Sequence, residues 1–105
     1  MPTTHDITAW RGRKLVGRDG DKIGTIDEIY MDERTGEPEW FAVRTGLFGS
    51  RVSFVPLAEA RAEGDDVVVP FDKDTVHHAP KVKTDVAMTH EIKERFVSYY
   101  GVSAN

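Results

Sequence analysis

Three short runs of isoleucine, valine and aromatic residues between Asp19 and Leu57 leave this chain few folds to choose from. They span Lys22–Met31, Trp40–Thr45 and Val52–Val55, and the gaps Asp32–Pro38 and Gly46–Ser50 are rich in Gly, Asp, Glu, Pro and Thr. β-forming runs bounded by turn formers predict consecutive antiparallel strands. Within the first run, Ile26 has the opposite parity to Ile23, Ile29 and Met31. A change of parity flips a strand's side chains to its other face unless an extra residue absorbs it. A β-bulge near Asp27–Glu28, or a strongly coiled strand bending round a barrel corner, is therefore expected, with Gly24 marking a bend or a close backbone approach. Trp40–Val43 is apolar on both parities, which predicts burial on both sides: a barrel interior on one, a covering helix or a partner on the other.

The flanking segments complete the plan. Residues 1–10 are expected as a flexible tail, with Trp10 followed by the basic residues Arg11, Arg13 and Lys14. Leu15–Val16 predicts a first short strand turning at Arg18–Asp21. Leu57–Ala62 contains good helix formers and predicts one or two helical turns. Val67–Val69 predicts a last strand, and Asp72 or Asp74 a cap for a short turn through His77 and His78. Lys81–Asp85 reads as a polar linker. Beyond it Thr89 is an N-cap, Ile92, Phe96 and Tyr99 or Tyr100 recur at helical spacing, and Gly101 is placed to end the helix. The domain is thus expected over 11–80, with linker and amphipathic helix over 81–105.

A chain of 105 residues is one domain by length and can bury a core without staples. Cysteine is absent, which excludes disulfides and thiolate metal sites and fits a reducing, cytoplasmic setting. With 14 Lys and Arg against 18 Asp and Glu, the net charge is −4, weighing against general binding to nucleic acid or anionic membranes. No secretory signal opens the sequence, and no apolar stretch approaches the roughly twenty residues of a membrane span.

The ordered set Leu15–Val16–Gly17, Asp19–Gly20–Asp21, Ile23–Gly24–Thr25–Ile26, TGEPEWFAVRTGLFGSRVSFVPL from Thr35 and the later DDVVVPFDKDTVHHAP resembles the PRC-barrel family. The likeness covers roughly Arg11 to Pro80. It implies a mainly β protein: a small, strongly bent antiparallel barrel with short helical turns, here followed by one C-terminal α-helix. Relatives include the photosynthetic reaction-centre H subunit and the ribosome maturation factor RimM. The sequence shows neither the membrane helix of the first nor the additional barrel of the second. Small bacterial relatives, some with an appended stress-associated domain, are nearer, and the family implies interaction rather than catalysis.

The residues offer no catalytic constellation. His77 and His78 would point about 100° apart on a helix and cannot easily share one ion. Asp19–Gly20–Asp21 lacks the glycine and glutamate spacing of a calcium loop, Gly46–Gly49 lacks the lysine of a phosphate loop, and Ser50 and Ser53 sit in no nucleophile elbow. No enzyme activity, metal or cofactor is expected. Two surfaces remain. Trp10, Arg11, Arg13, Lys14, Arg44 and Arg51 could form a basic–aromatic patch for RNA or the ribosome. Against it, the surplus of aromatics over what a small barrel can hold predicts cover either from the terminal helix docked on its own barrel or from another subunit, and the favoured reading is a self-associating interaction module, a homodimer whose interface contains Leu47, Phe48, Ile92, Phe96, Tyr99 and Tyr100.

Overall fold

The computed structural model describes residues 4–32, 34–45, 51–80 and 89–101. In chain order it contains α1 (Thr4–Thr8), β1 (Lys14–Val16), β2 (Lys22–Met31), β3 (Pro38–Thr45), β4 (Arg51–Pro56), β5 (Arg61–Glu63), β6 (Asp66–Val68), α2 (Lys73–His77) and α3 (His90–Tyr100). The six strands form one bent sheet in the order β4-β3-β2-β1-β6-β5.

The β2 ladder accommodates its isoleucines as the parity argument requires. Ile26 pairs with Val43 while Glu28, not Asp27, pairs with Ala42, so Asp27 is the extra residue of a bulge. A second irregularity falls opposite β1, where Leu15 pairs with Gly24 but Val16 with Lys22. With one residue absorbed at each place, Ile23, Ile26 and Ile29 all turn inward and all are buried. Gly24 has a further reason to be glycine: a Cβ there would lie 2.2 Å from the Arg44 carbonyl oxygen.

The barrel is less closed and less antiparallel than expected. β1 and β6 run parallel, and hydrogen bonds do not join the sheet's two ends. The topology explains both. β4 and β5 are consecutive in sequence but occupy opposite edges, so Leu57–Ala60 is a crossing rather than a hairpin, and the alternation of strand direction breaks there. The helical turns expected over Leu57–Ala62 are absent for the same reason. Leu57 is buried in the core, and Arg61–Glu63 are drawn into antiparallel pairing with β6 across a turn where Gly64 has φ 63°. Strand pairing outweighs a helix propensity worth only tenths of a kcal/mol per residue.

The interior is filled by Leu15, Ile23, Ile26, Ile29, Phe41, Val43, Val55, Val67 and Val69, closed at one end by Ile7, Trp10 and Val76. Residues 4–10 thus differ from the expected tail: α1 carries Ile7 into the core, and Trp10 lies 6.2 Å from Phe41 between ring centroids. A second cluster lies on the outside of β3 and β4, under α3.

Candidate functional site

The outside of the sheet is written in the β3 register. Even-numbered residues of this strand face away from the barrel interior, and the pairing aligns Tyr30–Trp40–Pro56, Glu28–Ala42–Phe54 and Lys14–Thr25–Arg44–Val52 in three rows. Partners directly opposite in a ladder share a face. The surface therefore has an apolar, aromatic half over β3 and β4 and a charged half over β1 and β2.

Helix α3 lies on the aromatic half. Thr89 caps it, its Oγ1 accepting from the Ile92 amide at 3.2 Å, and Gly101 ends it in the left-handed conformation. Phe96 is fully buried, its ring centroid 5.2 Å from Phe54 and 6.1 Å from Trp40, both near-perpendicular. Tyr100 stacks beside Phe96 and reaches Phe71 at 4.9 Å. Ile92 and Val97 are half-buried along the same stripe.

Two polar contacts fasten the helix. Lys93 forms an ion pair with Glu39, each side chain about one-fifth exposed, and the same Glu39 carboxylate oxygen accepts from Trp40 Nε1 at 2.9 Å. Asp32 stands close by. The Arg34 amide, donating at 2.8 Å, holds its carboxyl below the usual range, and the Lys93 charge adds to that effect. At the other end Tyr99 Oη donates to the Thr75 carbonyl of α2 at 2.6 Å.

The expected interface residues therefore divide. Phe96 packs on the outer face of its own barrel, where alternate residues of β3 and β4 present the apolar surface that α3 covers. Ile92 and Tyr100 share that role in part. The Tyr100 hydroxyl has no hydrogen-bond partner among the described residues, and burial pushes its pKa up. Tyr99 is at the rim and 38% exposed. Leu47 and Phe48 lie outside the described residues.

The basic–aromatic patch does not assemble. Trp10 is inside the barrel. Arg11, Lys14 and Arg44 do share the charged half of the outer surface, but each faces a carboxylate: Arg11 with Glu28 at 3.3 Å, Lys14 with Asp66 at 3.6 Å and Arg44 with Asp27, the bulged residue, at 2.8 Å. Arg51 pairs with Thr45, one residue out of step with the Arg44–Val52 pair, and so belongs to the opposite face. Arg13 is half-buried beside Trp10. Among the described residues no three His, Cys, Asp or Glu side chains are grouped to hold a metal ion. Asp72 instead caps α2 through Thr75, and His78 Nδ1 lies 2.8 Å from the Asp74 carbonyl oxygen. The Lys93–Glu39 fastening was not foreseeable, since no local pattern joins residues so far apart in the chain.

The family model of the PRC-barrel domain matches residues 2–76. The chain belongs to the PRC-barrel family. The match takes in α1 and all six strands of this PRC-barrel and stops before α3. A curated relative, an uncharacterized protein of Deinococcus radiodurans, is 33% identical over 87 residues, 79% of this chain and 31% of the relative. The chain thus spans about a third of that protein's length. No helix among the described residues of this PRC-barrel is long and apolar enough to cross a membrane.

Proposed function

We propose that this PRC-barrel is a non-enzymatic protein-interaction module that associates with itself, as a dimer in a cytoplasmic setting. The observation that carries the reading is the aromatic layer on the outside of the barrel. Tyr30, Trp40, Phe54 and Phe71, with Phe96, Tyr99 and Tyr100 from α3, concentrate large rings on this face, packed on one another at its centre and leaving Tyr99 exposed at the rim. Aromatic residues are what interface centres favour, and the titratable groups nearby serve as caps and ion pairs. Family membership supports the same reading.

Sedimentation velocity over micromolar concentrations tests it. A dimer that persists as salt is raised is expected, because apolar burial is little screened whereas charge-driven contacts are. The RNA-associated reading predicts instead retention on RNA that falls steeply with salt. A wild-type chain that stays monomeric at high micromolar concentration would remove self-association from the proposal.

A further inference from the structure

Asp19–Gly20 is the only Asp–Gly step in the sequence. It forms the tip of the turn between β1 and β2, where Arg18, Asp19, Gly20, Asp21 and Lys22 are all exposed. Gly20 has φ 88°, and nothing lies within 4 Å of the place a Cβ would take. No side chain of its own, and none of a neighbour at that position, hinders approach to its nitrogen. The Asp19 carboxylate folds back over the same peptide, its Oδ1 accepting from the Asp21 amide at 3.2 Å. The ring closed by that hydrogen bond contains both Asp19 Cγ and the Gly20 nitrogen. The Gly20 amide donates to the Gly17 carbonyl at 3.0 Å, a single bond at a solvent-exposed tip, of the kind that opens locally at little cost.

From this geometry we propose that Asp19 is a site of spontaneous modification, converting to isoaspartate through a cyclic imide formed with Gly20. The Gly20 nitrogen attacks Asp19 Cγ. A C–N bond forms, and the hydroxyl of the carboxyl leaves with the amide proton as water. Water then opens the imide. Breaking the bond from nitrogen to Cγ returns aspartate. Breaking the bond from nitrogen to the main-chain carbonyl carbon leaves the chain running through Cβ and Cγ, with the former main-chain carbonyl as a free carboxylate. One water is lost and one regained, so the mass is unchanged.

The position gives this change a structural effect. Isomerisation inserts a methylene into the loop that the Gly17 amide closes onto the Asp21 carbonyl at 2.9 Å. The first half of the loop is held: the Arg18 amide donates to the Phe71 carbonyl at 3.0 Å, the Arg18 guanidinium lies 3.7 Å from Asp72, and Gly17 sits so close to Phe71 that a Cβ would lie 2.8 Å from its carbonyl oxygen. The extra length falls on the β2 side, beside the place where Val16 already pairs out of step with Leu15. Because turn geometry fixes a hairpin's register, the isomer should loosen the β1–β2 ladder.

Ageing the folded protein for weeks in warm, mildly acidic buffer tests the assignment. An isoaspartyl methyltransferase with a labelled methyl donor measures the isomer. An endoprotease that cuts before aspartate but not before isoaspartate places it. Expected are label that accumulates at Asp19 and an aged fraction that melts below the fresh protein. Asp19→Asn, which loses ammonia in place of water, should gain label faster. Asp19→Ser, which cannot form the imide but keeps a hydroxyl able to accept from the Asp21 amide, should gain none there. A folded wild type that ages unlabelled while its urea-unfolded form gains label would show that the turn protects this step, and overturns the proposal. Label confined to other aspartates, or absent from both forms, overturns it equally. Label at Asp19 with an unchanged melting temperature would keep the site and overturn its effect on the ladder.

Discussion

Ser53 is fully buried opposite Val43, and its hydroxyl has no hydrogen-bond partner among the described residues. A buried polar group left without a partner costs about 1–3 kcal/mol. Ser53→Ala should accordingly leave stability unchanged or raise it by about 1 kcal/mol, measured by urea denaturation. A clear loss would show that the hydroxyl has a partner. Gly24 points the other way. Its missing side chain leaves room for the Arg44 carbonyl and the Val43 methyl 2.2 and 2.8 Å from where a Cβ would sit, and backbone cannot yield as a flexible side chain can. Gly24→Ala should cost at least the 1–3 kcal/mol typical of overpacking, seen as a lowered urea midpoint. Residue-scale features were unevenly legible. The inward turn of Ile23, Ile26 and Ile29 could be inferred because parity is a property of the sequence alone. The burial of Trp10 could not, because a tryptophan followed by three basic residues has the same local composition whether its ring faces solvent or Phe41.

At the scale of elements, the helix caps were the most readable features, since a cap is a contact within four residues. Asp72 accepts from both the amide and the hydroxyl of Thr75, at 2.8 and 2.7 Å, and these bonds, helped by Arg18, hold its carboxyl below the ordinary 3.8. A carboxyl whose pKa is lower folded than unfolded contributes its full stability above the unfolded value. That contribution is lost as pH falls through the lower, folded value. Asp72→Asn should therefore be less stable than wild type near neutrality and converge with it as pH falls below the ordinary carboxylate range, as thermal melts across pH would show. α3 tests the other kind of element, one whose position depends on distant partners. Phe96→Ala should cost about 3–5 kcal/mol and shift Trp40 fluorescence to the red as its cover loosens; an unchanged spectrum would contradict the packing described. The helix itself was legible from its spacing and caps, whereas the strand at Arg61–Glu63 was not, because its pairing with β6 is set by where the chain crosses the barrel.

For the molecule as a whole, the sequence carried the mainly β class and family, and missed the direction in which the first strand and the last pair. That miss concerns the parallel pairing of β1 with β6, a relation between segments that no local pattern records. Its consequence lies in folding kinetics. The β2–β3–β4 meander joins neighbours along the chain and can form early. The β1–β6 ladder closes a loop of about fifty residues, and the entropy of closing it must be met before its few hydrogen bonds return anything. Val67, fully buried at the centre of that ladder, should then form its contacts late. Its truncation to Ala should speed unfolding while leaving the folding limb of the chevron nearly unmoved, whereas Val43→Ala in the meander should slow folding. The seam between the first strand and the last is, on this account, where the barrel finishes forming and where it first comes apart.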